Sequence, residues 1–501
     1  MKGIFVLVLI IFLLLSCSKK DDVQPNILFI ISDDQSYPHA SAYGYLGIKT
    51  PNFDRVADQG ILFTNAYAQA PGCSPSRASM LTGLHIWQLE EAGSHASGFP
   101  EKFKTFPDIL EKSGYEIGYT GKGWAPGDWK GSERNRNPAG PEYNKLKCIS
   151  PVGMSFIDYY GNFRLFFKNK LPNKPFCFWY GAKEPHRVYK SGLGIARGLD
   201  TNKIHVPEFL PDVPEVVSDL ADYHLEIEWF DQHLGRIIDM LDDIGELDNT
   251  LIIVTSDNGM PFPRAKANLY EYGTHVPLAI MWKNKIITPL QFDDPVGLID
   301  AMPMIIEAAG IDKRKLENEL GYNIQGQSLL EKLKMDSVPA VYTARERHSS
   351  ARWNNLPYSS RAIREGDYLM IYNYFPERWP SGAPQRINAN RLMDGYDDVD
   401  NSPTLKYMLT HQDDQYTSTL VDLFAQKRPK LELYNITSDP ACVNNLINNH
   451  ELQEKSNRME KKLLLFLKAT NDPRLSNNPS FDNYPRRKGS VREYLKPDWV
   501  K

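Results

Sequence analysis

The sequence predicts an α/β fold, in which helices flank a large, mixed but mostly parallel sheet and a smaller C-terminal α+β subdomain follows. Short apolar runs, typical of strands buried on both faces, alternate with helical patterns through the first part of the chain. Such alternation favours a mostly parallel sheet. From about residue 341 the pattern changes to short strands rich in Tyr and Arg. We therefore expect an N-terminal domain over residues 26–340 and a subdomain over residues 341–501.

The predicted strands are five short apolar runs. They cover residues 26–31, 117–120, 176–181, 250–255 and 278–281. Polar pairs follow two of them directly: Asp33-Asp34 after the first run and Asp257-Asn258 after the fourth. Ligands bind beyond the carboxyl ends of strands in open α/β sheets, so these pairs mark a candidate site.

Helical patterns separate the strands. Thr50-Pro51 reads as an N-cap followed by proline in the first helical position, and residues 106–112 end before Gly114. Residues 218–244 carry apolar side chains at helical spacing, and a last helix is expected near residues 451–469.

Composition excludes several classes of protein. The 58 Lys and Arg nearly balance the 62 Asp and Glu, for a net charge of -4, and no basic block suggests nucleic-acid binding. The 26 Tyr, 22 Phe and 9 Trp exclude a disordered chain. The five cysteines are far apart, so no CxxC predicts zinc or dithiol chemistry. We read Cys148, Cys177 and Cys442 as buried thiols, with a Cys148–Cys177 disulfide as the alternative.

The N-terminus reads as an export signal. The apolar run over residues 4–15 is too short for a membrane-spanning helix, which needs about 20 residues, but suits a secretory signal. Ser16-Cys17 resembles the bacterial lipoprotein signal, which implies a signal peptide over residues 1–16, a lipidated Cys17 and a linker over residues 17–25. We expect a membrane-anchored lipoprotein in the periplasm or on the outer-membrane surface of a Gram-negative bacterium. An ordinary signal peptide with an incidental cysteine is the alternative.

The most specific motif is Cys73-Ser74-Pro75-Ser76-Arg77, continued by Ala-Ser-Met-Leu-Thr-Gly. It resembles the CxPxR maturation motif of the sulfatase family. The resemblance implies the alkaline-phosphatase-like sulfatase fold and a catalytic Arg77. It also implies that a sulfatase-maturing enzyme oxidises Cys73 to formylglycine, whose hydrate has one hydroxyl to attack sulfur and a second to expel sulfate. A structural cysteine before a helix is the alternative reading.

The candidate metal ligands are Asp33, Asp34, Asp257 and Asn258. They offer oxygen donors without neighbouring His or Cys, which suits Ca2+ or Mg2+ rather than zinc. An Asp pair after a strand could also be a cap or a turn. The resemblance to sulfatases implies one Ca2+ per chain, bound by these four residues.

Three further residues fall where sulfatases keep active-site groups. Lys122 and Lys266 match cationic sulfate-binding positions, and His186 matches a histidine that donates a proton to the leaving group. One position departs from the family pattern, because Trp124 stands where a histidine is usual. Either another base replaces that histidine, or the Trp124 ring shapes the substrate pocket.

Part of the sequence resembles the heparan N-sulfatase branch of the family. The stretches over residues 185–187, 255–263, 268–270 and 273–274 carry this likeness, and the wider family likeness extends to residue 446. The branch cleaves the S–N bond of terminal N-sulfoglucosamine in heparan-type glycans. In the C-terminal subdomain, which would complete the pocket, the candidates for sugar contacts are Arg345, Arg347, His348 and Arg361. Salt bridges at the surface are their alternative role.

Two alternative functions remain open at this point. An O-sulfatase acting on a 6-O-sulfated aminosugar would use the same core. A surface glycan-binding lipoprotein would result if Cys73 were never converted, or if Trp124 blocked turnover. A phosphatase or phosphonate hydrolase with a plain Ser or Thr nucleophile would lack the Cys73 motif. The expected partners are a sulfated glycosaminoglycan oligosaccharide, the maturing enzyme and, through lipid, a membrane, but no nucleic acid.

Overall fold

The computed structural model describes residues 24–286, 289–337, 340–389, 391–476 and 480–500. Its larger sheet has eight strands. They are β1 (Asn26–Ser32), β2 (Ile61–Tyr67), β3 (Glu116–Gly121), β4 (Phe176–Gly181), β5 (Thr250–Ser256), β6 (His275–Met281), β7 (Leu290–Phe292) and β8 (Val296–Gly297). The predicted signal peptide, Cys17 and most of the linker lie outside the described residues.

The strand order of this sheet is β3-β4-β1-β5-β6-β2-β7, with β8 also beside β2. The four strands β3, β4, β1 and β5 run parallel, and Ile31 near the end of β1 pairs with Gly181 of β4 and Thr255 of β5. Strand β6 runs antiparallel to both of its neighbours. The prediction of a mixed, mostly parallel sheet is confirmed, and the carboxyl ends of four adjacent strands meet at one edge.

Within the described residues, ten α-helices belong to the part of the chain around this sheet. They are α1 (Pro51–Asp58), α2 (Cys73–Thr82), α3 (Phe106–Lys112), α4 (Tyr159–Asn169), α5 (Leu193–Ala196), α6 (Pro214–Asp243), α7 (Glu271–Thr274), α8 (Ala301–Ala308), α9 (Lys313–Leu320) and α10 (Leu329–Lys332).

Strand β1 shows why the strands read as unbroken apolar runs. Phe29 and Ile31 pack in one core cluster with residues of α2, α3 and α8. Leu28 and Ile30 pack in a second cluster with residues of α1, α4 and α6. Helices therefore cover both faces of the sheet, and every side chain of β1 is buried.

A second, antiparallel sheet with the order β14-β11-β10-β9 follows, and a hairpin pairs β12 with β13. These strands are β9 (Val341–Arg345), β10 (Ser360–Glu365), β11 (Tyr368–Asn373), β12 (Gln385–Asn388), β13 (Arg391–Asp394) and β14 (Leu431–Asn435). The remaining helices are α11 (Pro403–Thr410), α12 (Gln415–Ala425), α13 (Gln453–Ala469) and α14 (Ser480–Asn483). Helix α13 packs Met459 and Leu463 against this sheet, so the predicted C-terminal α+β subdomain is present.

Two further observations concern the described residues. Cys73, Cys148, Cys177 and Cys442 are all free thiols. Among the described helices, none is both long and apolar enough to cross a bilayer.

Candidate active site

The turn after β1 brings two carboxylates to the edge where the parallel strands end. The Asp33 amide donates to the Glu184 carbonyl at 2.9 Å, and the Asp34 amide donates to Asp257 Oδ1 at 3.1 Å. Asp34 adopts the left-handed conformation, with φ 77°, which aspartate tolerates better than most residues. The first strand is thereby joined at its end to the loops after β4 and β5.

Asn258 has an amide group that is only half satisfied. Its Nδ2 donates to Asp34 Oδ1 at 2.7 Å, but the buried Oδ1 has no hydrogen-bond partner within the described residues. A buried oxygen without a donor costs about 1–3 kcal/mol. A cation would satisfy it, together with carboxylate oxygens of Asp33, Asp34 and Asp257. This all-oxygen set fits Ca2+, as the sequence predicts.

Cys73 is the first residue of α2 and is only 1% exposed. Its Sγ lies 3.9 Å from Asp34 Oδ1, so the thiol faces the carboxylates. Burial raises the pKa of this thiol well above its usual range, and the nearby Asp33 carboxylate acts in the same direction. The unmodified side chain is therefore protonated at neutral pH and a weak nucleophile.

Arg77 lies one helical turn after Cys73, on the same face of α2. Its Nε donates to Asp257 Oδ2 at 2.7 Å, and its Nη1 donates to the carbonyls of Lys122 at 2.7 Å and Gly123 at 2.9 Å. The fully buried guanidinium thus ties the helix to the loops that follow β3 and β5. This geometry explains the four-residue spacing of the Cys73 motif.

Two lysines pair with the first two carboxylates. Lys122 Nζ donates to both Asp33 oxygens at 2.6 and 2.8 Å, and Lys266 Nζ donates to Asp34 Oδ2 at 2.6 Å. Although burial raises the pKa of Asp33, the neighbouring cations, Lys122 foremost, hold it well below its usual range. With Arg77, three cations balance the three carboxylates. A bound divalent cation would make the site positive, as an anionic substrate requires.

His186 lies at the open side of this cluster. Its side chain is 36% exposed, and Nε2 lies 3.8 Å from Asp34 Oδ2. Nδ1 lies 2.6 Å from the Arg187 carbonyl, which can only accept, so Nδ1 carries a hydrogen. Nε2 is left to face the site. The structure therefore brings Cys73, Arg77, Lys122, His186 and Lys266 together with the four candidate metal ligands.

Trp124 does not line this cluster, contrary to one of the two expectations for it. The ring is 1% exposed and packs edge-on against Phe99 at 5.2 Å. Its indole nitrogen donates to the Ser74 carbonyl at 2.9 Å. The side chain therefore lies in the core and supports the first turn of α2 through its hydrogen bond to Ser74.

Three of the four residues predicted to contact sugar instead bind other groups within the protein. Arg361 binds Asp472 and Glu346, and all three side chains are completely buried. Arg345 binds Asp398 at 2.7 Å. Arg347 donates to the Ser97 hydroxyl at 2.7 Å and to the Tyr484 carbonyl. Their environment supports the alternative role in salt bridges and hydrogen bonds, but within the core rather than at the surface.

His348, the fourth candidate, lies beside the nucleophile position. A Cβ atom on Gly72 would come within 2.8 Å of His348 Nδ1, so any other residue before Cys73 would require the His348 ring to shift. The His348 ring stacks on that of His95 at 4.5 Å. His95 carries no motif and could not be found from the sequence.

Asp400 is a second residue that the sequence did not indicate. Its Oδ2 lies 3.1 Å from Lys266 Nζ, in a loop of the C-terminal part. An isolated acidic residue in an acidic loop gives no signal of such a contact.

Comparison with known proteins relates this chain to a family and to several relatives. Residues 25–311 match the sulfatase family. Human N-sulphoglucosamine sulphohydrolase is 26% identical over 487 residues, spanning 89% of this chain and 91% of that protein. The N-acetylglucosamine-6-O-sulfatase of Bacteroides thetaiotaomicron is 25% identical over 570 residues, spanning 93% of this chain and 90% of that protein.

A solved structure shows the same fold. It contains an enzyme in complex with its substrate, D-glucosamine-2-N,6-O-disulfate, and superposes with a TM-score of 0.61. The sequences are 22% identical, and the match covers 91% of this chain and 99% of that one.

Proposed function

This chain belongs to the sulfatase family, and on that premise we propose that it removes the N-sulfate from terminal N-sulfoglucosamine of heparan-type glycans. The hydrolysis of sulfuric esters or sulfamates follows from the family. The finer substrate assignment is supported by the likeness to N-sulphoglucosamine sulphohydrolase along almost the whole of both chains. The observation that carries the chemistry is Cys73 at the start of a buried helix, facing Asp34 and backed by Arg77.

The proposed reaction needs two groups besides the residues of the chain. A hydrated formylglycine at position 73 would supply the attacking hydroxyl, and Ca2+ held by Asp33, Asp34, Asp257 and Asn258 would supply Lewis acidity. The ammonium groups of Lys122 and Lys266 bind sulfate oxygens. Arg77 orients the loops that carry them. The N-terminal amides of α2 favour an anion at the same point.

His186 acts in this scheme as the general acid. An amine cannot leave as its anion at neutral pH, so the nitrogen of the S–N bond must gain a proton as that bond breaks. His186 Nε2 faces the carboxylate cluster, and the ring is exposed enough to meet a substrate. A proton held at Nε2 can pass to the departing nitrogen.

The direct test is sulfate release by matured enzyme from two sugars, N-sulfoglucosamine and 6-O-sulfated N-acetylglucosamine. We expect release from the first, and none by the Cys73→Ala variant. Release from the second sugar alone would contradict the N-sulfate assignment while leaving the sulfatase activity intact.

An O-sulfatase acting on 6-O-sulfated glucosamine is the second candidate. It is favoured by the likeness to an N-acetylglucosamine-6-O-sulfatase over 93% of this chain. Glucosamine carrying both N- and 6-O-sulfates separates the two candidates in one tube. Mass spectrometry with fragmentation of the first product shows which sulfate has left.

The maturation of Cys73 decides between an enzyme and an inactive glycan-binding homologue. Conversion of the thiol to an aldehyde lowers the residue mass by about 18 Da. We expect this shift in the Cys73 peptide of protein isolated from its own host. A wholly unmodified cysteine there would favour the glycan-binding alternative.

A further inference from the structure

We propose that Asp400 determines which sugars this site accepts, by taking hydrogen bonds from a free hydroxyl of the sulfated sugar and excluding a second anionic group there. This inference rests on the proposed function and deepens it. It concerns a residue of the C-terminal part that no motif marks.

Asp400 is connected directly to the catalytic cluster. One ammonium group, Lys266 Nζ, lies 2.6 Å from Asp34 Oδ2 and 3.1 Å from Asp400 Oδ2. Lysine has three hydrogens to donate, so it can contact both carboxylates at once. Asp400 is thus one residue removed from a proposed metal ligand.

The exposure of the side chains shows the direction from which a substrate arrives. Asp34 and Lys266 are 0% and 5% exposed, whereas Asp400 is 32% exposed and His186 is 36% exposed. Asp400 and His186 are therefore more exposed than Asp34 and Lys266, although the Asp400 Oδ2 atom that faces Lys266 is itself buried. In the proposal, a sugar whose sulfate reaches the cluster lies next to both.

The backbone around Asp400 is held firmly. Asp398 accepts from Arg345 at 2.7 Å, from Arg352 at 2.6 Å and from the Ser349 amide at 2.7 Å. Thr404 Oγ1 donates to Asp219 Oδ2 at 2.6 Å on the other side. The loop is therefore fixed two residues before Asp400 and four residues after it. A residue that discriminates between substrates needs such a fixed position. Arg345 therefore supports the loop that carries Asp400.

The chemistry of an ionised carboxylate sets the selectivity. It only accepts hydrogen bonds, so a sugar hydroxyl is a favourable partner. A sulfate or carboxylate at the same position would place two anions in contact, which is unfavourable. Lys266 is already shared with Asp34 and, in the proposed reaction, with the sulfate that is cleaved, so it cannot also balance a second anionic group of the sugar.

The test compares Asp400→Asn with the wild type on N-sulfoglucosamine and on its derivatives carrying one more sulfate, at O3 or at O6. We expect KM for the singly sulfated sugar to rise about tenfold with kcat little changed, because a charged hydrogen-bond acceptor is lost. One of the two derivatives carries its extra sulfate on the hydroxyl that Asp400 recognises. The ratio of kcat/KM for the singly sulfated sugar to kcat/KM for that derivative should be smaller in the variant, by a similar factor. Asp413→Asn, which removes an exposed charge elsewhere, serves as the matched control.

Two outcomes would overturn the proposal. An equal fall in kcat for every sugar would show that Asp400 only positions Lys266, and unchanged constants would show no role. If the wild type acts on 6-O-sulfated N-acetylglucosamine instead, the N-sulfate assignment fails. The same comparison then runs with that sugar and its 3-O-sulfated derivative, so the two failures remain distinguishable.

Discussion

The residues of this site differ in whether their positions could be predicted from the sequence. Asp33, Asp34 and Asn258 could be predicted because they directly follow strands that share one edge of the sheet. Trp124 could not be placed, because the direction of its ring depends on the packing of Phe99 and the first turn of α2. Asp400 contacts Lys266 from a distant segment, and only the folded chain brings the two together.

The unsatisfied amide oxygen of Asn258 leads to a prediction about metal binding. Ca2+ at 100 times its Kd should stabilise the wild-type protein by about 2.7 kcal/mol against thermal unfolding. Asn258→Leu removes one ligand at similar volume, so its gain in Tm on adding Ca2+ after chelator treatment should be much smaller. Differential scanning calorimetry measures both. An equal Ca2+ shift in the variant would mean that Asn258 does not bind the ion.

Among the elements, strands were easier to predict than their directions. Strand β1 is buried on both faces, and its unbroken apolar run marked it clearly. Strand β2 escaped prediction because Thr64 and Asn65 interrupt its pattern. The antiparallel direction of β6 could not be read either, since a buried strand has the same composition in both directions.

Helix α6 carries a histidine that should make the fold sensitive to acid. Burial lowers the pKa of His224 to about 3, and its ring nitrogens have no hydrogen-bond partner among the described residues. A histidine in an unfolded chain titrates near pH 6.5. Below that pH, His224 therefore binds a proton in the unfolded chain but stays neutral in the native helix. The stabilising contribution is complete above pH 6.5 and is lost as the pH falls toward 3.

His224→Phe should therefore flatten the pH dependence of stability. Between pH 6 and 4, the free energy of unfolding should fall with decreasing pH in both proteins. The slope of the variant should be smaller than that of the wild type by about 1.4 kcal/mol per pH unit. Urea titrations across this range measure the slope. The exposed His450→Phe is the control and should leave the slope unchanged. A His224 variant with the wild-type slope would contradict the prediction.

At the scale of the whole molecule, the site depends on both parts of the chain. Residues from the ends of β1, β3, β4 and β5 meet there, and Asp400 comes from beyond the second sheet's first strands. Of the arginines predicted to hold sugar, Arg361 instead joins Glu346 and Asp472 within the C-terminal part. Arg347 joins that part to Ser97 of the N-terminal domain. Sequence patterns show that a charge is present but not whether its partner is internal.

We also propose that the chain is anchored to a membrane through lipid on Cys17, as its signal-like N-terminus indicates. Full-length protein from its host should partition into the detergent phase of Triton X-114, because acyl chains contribute about 0.8 kcal/mol per buried CH2. Cys17→Ser should move it to the aqueous phase. Wild-type protein found only in the aqueous phase would contradict the anchor.

The burial of Cys73 has a consequence for the order of events in the life of the chain. A thiol that is 1% exposed, at the first residue of a helix packed on the main sheet, is not accessible to the active site of another enzyme. The proposed oxidation must therefore happen while the segment is still unfolded. A chain that folds first would keep its thiol permanently, so the competition between maturation and folding would set the active fraction of the protein.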